Sequence, residues 1–281
     1  MGLFKVQAIN SFSINGTGGN PAGVVLDADE LTKDQKQAIA FKAGLSETAF
    51  VSRSLVADFK LEFFTPTRQI PHCGHATIAT FWYLNSLGKI QSSNSSKETI
   101  DGTREIFFIG DEPFMQQLPA RFSKVPDHER IFKSIGIKGG LRVPLIGNTG
   151  NSFLLIELNE QSELAKLKPN FKEISDISSA LDCVGYYVFS LSKNGASIHT
   201  RMFAPYYGIN EESATGMAAG PLACLLYQRM PLSEMIVNQG KYMSTPSESR
   251  LKAKITEENG KITKLLVGGS AYVNSTLEIT L

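Results

Sequence analysis

Two stretches of this chain would be apolar on every side if coiled into helices. Residues 76–84 read Ala-Thr-Ile-Ala-Thr-Phe-Trp-Tyr-Leu, and residues 218–227 read Ala-Ala-Gly-Pro-Leu-Ala-Cys-Leu-Leu-Tyr. A helix with no charged face belongs inside a fold, not on its surface. Each stretch follows the same signal, a strand-like run ending in Phe-x-Pro. These are Phe64-Thr65-Pro66 and Phe203-Ala204-Pro205, 139 residues apart. Further upstream, Gly19-Asn20-Pro21-Ala22-Gly23-Val24-Val25-Leu26 resembles Gly150-Asn151-Ser152-Phe153-Leu154-Leu155-Ile156, at an offset of 131. Two matches in one order at similar offsets point to an internal duplication. The expected organisation is two related α/β halves, residues 1–120 and 121–281, each closed around its own buried helix. An active-site cleft is expected between them, where ligands collect in folds of this kind.

The 281 residues suffice for two such units without disulfide or metal staples. Hydrophobic residues make up 42% and charged residues 20%, which excludes a disordered or fibrous chain. Lys plus Arg is 28 and Asp plus Glu is 27, so no basic patch for nucleic acid or an anionic membrane is expected. Cys73, Cys183 and Cys224 match neither a zinc knuckle nor a disulfide framework, which suggests reduced thiols. The start of the sequence has no apolar leader, and the apolar run around Thr80 is too short to span a bilayer. A cytoplasmic location is expected.

The remaining elements follow from local signals. Residues 4–9 and 22–26 read as strands flanking a glycine-rich loop. Thr32 and Gln35 form a capping box for a helix ending near Gly44. Residues 49–51 and 59–64 read as strands, the second broken by Thr65-Pro66. Gly88 stands where a helix-ending glycine belongs. The Ser-rich stretch 91–97 reads as a loop, with strands resuming at 105–109. In the second half, strands are expected on either side of Gly147-Asn148-Thr149-Gly150-Asn151, in 186–190 and in 197–203. Asn170 and Glu173 cap a short helix. Pro221 is expected at or near the start of the second buried helix. Residues 250–281 alternate like antiparallel strands.

Few residues qualify for chemistry. Gly16-Thr17-Gly18-Gly19-Asn20 is followed by Pro21 and a strand, not a helix, and lacks a Walker lysine, so it does not bind a nucleotide in the dinucleotide manner. It is either a tight hairpin requiring positive φ or a loop whose backbone approaches a ligand. His72-Cys73-Gly74-His75 has two imidazoles and a thiol, but the sequence shows no third and fourth partner for a metal. The first turn of the helix, Gly74 to Thr77, instead offers N–H groups and a positive dipole end to a carboxylate. His75 is either a proton donor there or a cap for a buried turn. Ala214-Thr215-Gly216-Met217 is the counterpart in the second half, with Glu211 and Glu212 just before it. Glu47, between a helix end and a strand, reads on local sequence as a solvated turn residue.

Taken together, these residues resemble the PhzF-like family, phenazine-biosynthesis isomerases that share the diaminopimelate epimerase fold. The motifs are Gly18-Gly19-Asn20-Pro21-Ala22-Gly23, Leu45-Ser46-Glu47-Thr48-Ala49-Phe50, Phe64-Thr65-Pro66, Cys73-Gly74-His75-Ala76-Thr77, Thr149-Gly150-Asn151, Phe203-Ala204-Pro205, Ala214-Thr215-Gly216, Gln239-Gly240 and Val267-Gly268-Gly269. The resemblance implies an α+β fold of two pseudo-symmetric halves, each an antiparallel barrel-like sheet around a central helix. It implies proton transfer without a cofactor or metal, and a homodimer. Glu47 matches the proton-shuttling acid/base and is expected to have a pKa raised by burial. His75 matches the histidine beside the substrate, and Glu212 stands where the family usually has aspartate. Gly19, Asn20, Gly74, Ala76, Thr215, Gly216 and Met217 line the implied substrate site. Met217 replaces a family serine, removing a hydroxyl and adding bulk.

The leading expectation is an isomerase acting on a small carboxylate-bearing metabolite. One alternative is a non-catalytic small-molecule binding protein on the same fold. A second is a racemase or epimerase with a cysteine at each helix mouth. That arrangement is disfavoured because Cys224 lies about two helical turns beyond Met217.

Overall fold

A computed structural model describes residues 2–192 and 197–281. It divides the chain into two compact units, residues 1–116 with 268–281, and residues 117–267. The first unit contains β1 (Leu3–Ser11), β2 (Asn20–Val25), α1 (Lys33–Ala43), β3 (Thr48–Ser52), β4 (Phe59–Phe64), β5 (Gln69–Ile70), α2 (Gly74–Ser86), β6 (Asn94–Thr99), β7 (Gly102–Ile109) and most of β8 (Glu112–Gln117). β1 pairs antiparallel with β2. Beside β2, β3 runs parallel after the α1 crossover, and β4 pairs antiparallel with β3. Then β6 joins β4 in parallel after the α2 crossover, and β7 and β8 follow as antiparallel neighbours.

The second unit repeats this order. It holds β9 (Arg121–Lys124), α3 (His128–Ser134), β10 (Leu145–Asn148), β11 (Ser152–Glu157), α4 (Gln161–Lys166), α5 (Phe171–Ala180), β12 (Gly185–Leu191), β13 (Ile198–Ala204), β14 (Ile209–Glu212), α6 (Gly216–Tyr227), β15 (Glu234–Gln239), β16 (Ser249–Glu258) and β17 (Lys261–Gly268). β10 and β11 form an antiparallel pair, β12 runs parallel to β11, β13 is antiparallel to β12, and β15 is parallel to β13 after the α6 crossover. The duplication read from sequence is therefore a duplication of topology. Its 131-residue offset carries β2 onto β11 to within one residue. Its 139-residue offset carries the end of β4 close to the end of β13.

The chain's last strand, β18 (Ala271–Thr280), corrects the expected boundary. It pairs antiparallel with β1 from Leu3–Thr280 to Ser11–Ala271, so it belongs with the first half. In the second unit β9 takes the same place, pairing antiparallel with β10. A split of the sequence at one point misses this because the edge strand of the first sheet comes from the far end of the chain.

The two apolar helices are buried as expected. α2 packs on β1, β2, β3 and β18, and α6 packs on β10, β11 and β16. The other face of the first sheet is covered by α1 through Ile39 and Ala40, which meet Val6, Val25, Phe50 and Phe64. Strands covered on both faces lose the polar alternation of a half-exposed sheet, and β3 is buried at every position. Thr32 caps α1 with the full capping box, and Gly44 follows in the left-handed region at φ 64°. α2 closes in a Schellman turn. Gly88, at φ 68°, donates to the Asn85 carbonyl (2.9 Å), and Lys89 donates to the Leu84 carbonyl (3.0 Å).

Two local expectations are corrected. The Ser-rich stretch 91–97 is not a loop throughout, because Asn94–Thr99 is β6. Its inward positions are Ser95, Lys97 and Thr99, so the period of two is written in polar residues and a hydrophobicity pattern cannot show it. Pro221 does not open its helix. α6 begins at Gly216, and the proline stands in the second turn, where its missing N–H forgoes the bond to the Met217 carbonyl.

Candidate active site

In the first unit, Glu47 sits where the chain leaves Gly44 and enters β3. Its carbonyl accepts from the Gly23 amide (2.9 Å), which ties it to β2, and the Ser46 hydroxyl donates to the Pro21 carbonyl (3.4 Å). α2 begins opposite. Cys73 is its N-cap residue, makes no side-chain capping bond, and leaves the first turn without an acidic residue. That end of α2 keeps the positive dipole that favours an anion.

The side chains of Glu47 and His75 meet here. Glu47 Oε2 lies 3.2 Å from His75 Nε2, with the two side chains only 14% and 6% exposed. The contact has ion-pair distance but lies off a well-formed hydrogen-bond axis, so Oε2 is left without an aligned donor. On the other edge of the ring, His75 Nδ1 is 3.6 Å from Cys73 Sγ, and Ser46 Oγ is 3.5 Å from Nε2. The local reading of Glu47 as a solvated turn residue is thus corrected. The turn is exposed around it, but its carboxylate points inward at an imidazole.

The electrostatics correct a second expectation. Burial pushes the Glu47 carboxyl up, but the adjacent His75 outweighs it and holds the group below its ordinary value. Burial pushes His75 down, and Cys73 and Glu47 more than reverse this, raising the imidazole well above its usual range. The resting pair is a carboxylate beside an imidazolium. Cys73 is pushed up chiefly by burial, against the opposing pull of His75.

Glu47 is also the third metal-type ligand that the sequence did not reveal. Ligand atoms of Glu47, Cys73 and His75 lie within 4.8 Å of one another. The imidazole, however, turns Nδ1 to the thiol and Nε2 to the carboxylate. Partners at opposite edges of one ring suit carrying a proton better than converging on one ion.

Of the other expected residues in this unit, Gly74 and Ala76 fall in the first turn of α2. Asn20 opens β2 with Gly19 just before it, next to Pro21 and its contact with Ser46. The glycine-rich loop is a hairpin. Gly16, Gly18 and Gly19 have positive φ, and a Cβ on Gly19 would stand 2.7 Å from the Ser11 carbonyl oxygen.

In the second unit, Glu212 ends β14 and Thr215 is the N-cap residue of α6, again without a side-chain capping bond. The Thr215 hydroxyl donates to Glu212 Oε2 (2.5 Å). Gln239, at the end of β15 and 1% exposed, organises both residues. Its Nε2 donates to the Glu212 carbonyl (2.8 Å) and to Thr215 Oγ1 (3.0 Å). Its Oε1 accepts from the Thr215 amide (3.2 Å) and the Tyr187 hydroxyl (3.0 Å). Gly216 is buried, and Met217 is the partly exposed side chain of that first turn. Glu211 is bound bidentately by Arg201 (2.8 and 2.7 Å), which makes it structural. Cys224 is buried two turns further along α6. The positioning roles of Gln239 and Tyr187 escaped the sequence reading. The Gln239-Gly240 motif was a signal for the first, since a glutamine at a strand end beside a glycine carries no packing value of its own.

A duplicated α/β scaffold that presents a buried carboxylate against an imidazole has the parts of a proton-transfer enzyme, and the relatives it resembles are named isomerases. The family model for phenazine biosynthesis-like proteins (PhzC-PhzF) matches residues 9–276, and the chain belongs to that family. It is 35% identical to an uncharacterized isomerase of Clostridium acetobutylicum over 79% of each chain. It is 27% identical to the trans-2,3-dihydro-3-hydroxyanthranilate isomerase of Pseudomonas aeruginosa, over 96% of this chain and 98% of that one. The crystal structure of a Bacillus anthracis phenazine biosynthesis protein of the PhzF family superposes with a TM-score of 0.90 at 26% identity, covering both chains completely. Among the described residues, no helix is long and apolar enough to cross a membrane.

Proposed function

We propose that this protein is a cofactor-independent isomerase that moves a proton between two carbons of a small carboxylate-bearing metabolite, with Glu47 as the acid/base. The observation that carries this reading is the buried Glu47–His75 pair, 3.2 Å apart, which holds the carboxyl below and the imidazole above their ordinary values. Glu47 is deprotonated before substrate arrives, so it acts first as a base. It takes a proton from carbon and becomes a neutral acid, while the electron pair left behind delocalises into the substrate's unsaturated system. Glu47 then returns the same proton to a second carbon on the same face, so the overall atom and charge balance is zero. His75 stays protonated, offsets the charge that develops on the substrate, and keeps Glu47 oriented.

The substrate's own carboxylate is assigned to the N-terminus of α2 at Gly74–Ala76, which carries no acidic residue in its first turn. Within the second unit, Glu212, held by Thr215 and Gln239, is proposed as a carboxylate able to receive a polar or cationic group. The activity named for the Pseudomonas aeruginosa relative is consistent with this class of proton transfer. Met217 places a thioether where a hydroxyl would bond a substrate polar group, which favours a substrate more apolar at that point.

The test is incubation of candidate unsaturated amino and hydroxy acids in heavy water. Deuterium incorporation or isomer formation by the wild type should fall roughly 10²-fold or more in Glu47→Gln, as for loss of a positioned acid/base. Near-normal turnover in that variant refutes the assignment. Tight binding without exchange in the wild type would replace the isomerase with a binding protein.

A further inference from the structure

Lys97 is fully buried, an unusual place for a lysine, and among the described residues no carboxylate pairs with it. It lies in β6, opposite Phe59 of β4, with its stem inside the first unit. The ammonium sits over the Phe63 ring, 5.2 Å from the centroid, and has two polar partners. It donates to Thr77 Oγ1 (2.6 Å) and lies 3.2 Å from His72 Nδ1. The Thr77 hydroxyl passes the contact on by donating to the Cys73 carbonyl (2.6 Å), which also accepts from the Thr77 amide (3.2 Å). Cys73 is the N-cap residue of α2, and its thiol touches the ring of His75. A continuous chain of short contacts thus runs from Lys97 to the turn that aims His75 at Glu47.

We propose that Lys97 is a positioning residue for the acid/base pair, fixing the first turn of α2 through Thr77 and the Cys73 carbonyl so that His75 is held against Glu47. The proposal rests on the Glu47–His75 reading above. An N-cap residue without a side-chain cap needs another restraint, and an apolar side chain at position 97 would fill the same space without supplying one. The chain survives either protonation state, since ammonium and amine both keep an N–H to donate to Thr77. The groups facing Lys97 are compatible with this role. His72 is held neutral, at about 3, by burial and then by the charges of Lys97 and Arg104, so its Nδ1 can accept. Burial opposes the Lys97 charge most; of its charged neighbours Cys73 favours it, Arg104 opposes it and Asp101 favours it.

The test reads His75 directly and needs no substrate. Long-range proton–nitrogen spectra of uniformly 15N-labelled protein resolve the four imidazoles, and the His75→Asn variant assigns the fourth. The wild-type His75 ring should stay protonated well above its ordinary midpoint. In Lys97→Met and in Thr77→Val the His75 midpoint should fall by about one pH unit or more, because the ring loses its fixed approach to Glu47. Thr77→Ser, which keeps the hydroxyl, should retain the wild-type midpoint. The double variant should fall no further than either single one, as expected for members of one chain.

The direction of the shift separates positioning from charge, since deleting a nearby cation alone would raise the midpoint. A His75 midpoint in Lys97→Met that rises, or stays within about 0.3 unit of wild type, overturns the proposal. If Lys97→Met does not fold, Thr77→Val against Thr77→Ser decides the same question. Glu47→Gln must also lower the His75 midpoint. If it does not, the acid/base pairing itself fails, and that result is distinct from a failure at Lys97.

Discussion

Replacing Lys97 by Met should make the protein's stability less dependent on alkaline pH, and the size of the effect follows from where the lysine sits. Burial lowers its pKa from the usual 10.5 to about 7. At each pH between these values the unfolded chain binds a proton that the folded protein does not. Unfolding free energy therefore rises with pH across that window, by up to about 1.4 kcal/mol per pH unit. Below pH 7 both states hold the proton and the full cost, about 5 kcal/mol at most, is present. Between pH 6 and pH 9 the wild type should gain roughly 2–3 kcal/mol relative to Lys97→Met, which has no proton to bind at that position. The methionine keeps the stem packing and loses the bond to Thr77 and the contact with Phe63, worth about 1–2 kcal/mol together. At pH 6 the variant should accordingly be the more stable protein, and near pH 9 the two should converge. Urea unfolding at half-unit steps from pH 6 to pH 10, with m-values checked for constancy, measures this. A difference between the two proteins that does not change with pH would show that Lys97 ionises normally in the fold. A difference that widens as pH rises would reverse the sign and refute the argument outright.

Other consequences follow from the same structure. Cys73→Ala should keep most of the turnover, because the thiol meets the edge of the His75 ring turned away from Glu47. A loss comparable to that in Glu47→Gln would instead make the thiol a second acid/base. Gln239→Leu should reduce turnover roughly 10-fold or more and destabilise the fold by about 1–3 kcal/mol, since it leaves the Thr215 amide and the Glu212 carbonyl without their partner. Steady-state rates and urea midpoints report both effects, and unchanged values would remove Gln239 from the site. Gly19→Ala should cost about 1–3 kcal/mol in the same unfolding assay, because alanine must accept φ 86° and crowd the Ser11 carbonyl oxygen.

Much of the fold was legible because its signals are local or periodic. The capping box at Thr32, the glycine after α2 and the two featureless apolar helices all write themselves into short stretches of sequence. The repeat was legible because the same topology was encoded twice. What escaped depended on partners far away in the chain. β6 hid because its inward residues are polar, and Lys97 makes sense only beside Thr77 and Phe63. β18 looked like part of the second half because nothing in residues 271–280 announces that they pair with β1. Glu47 was found through its family motif, while its inward orientation toward His75 depends on β2 holding the backbone from Gly23, 24 residues upstream.

That dependence also decides the order of proton transfers. A carboxylate equally buried but without such a partner would be raised by burial and enter catalysis as an acid. Placed 3.2 Å from an imidazole that has its own neighbour at Cys73, it is held as a carboxylate and must accept a proton before it can give one. The cost of keeping both charges out of water is met by their mutual attraction, so the pair stays poised only while the ring keeps its orientation. Orientation in turn belongs to the first turn of α2, whose N-cap carbonyl is gripped by Thr77 and, behind it, by a lysine on β6. The chemistry assigned to Glu47 is therefore a property of three strands and a helix end, and a substitution on any of them that frees His75 should weaken the base without touching it.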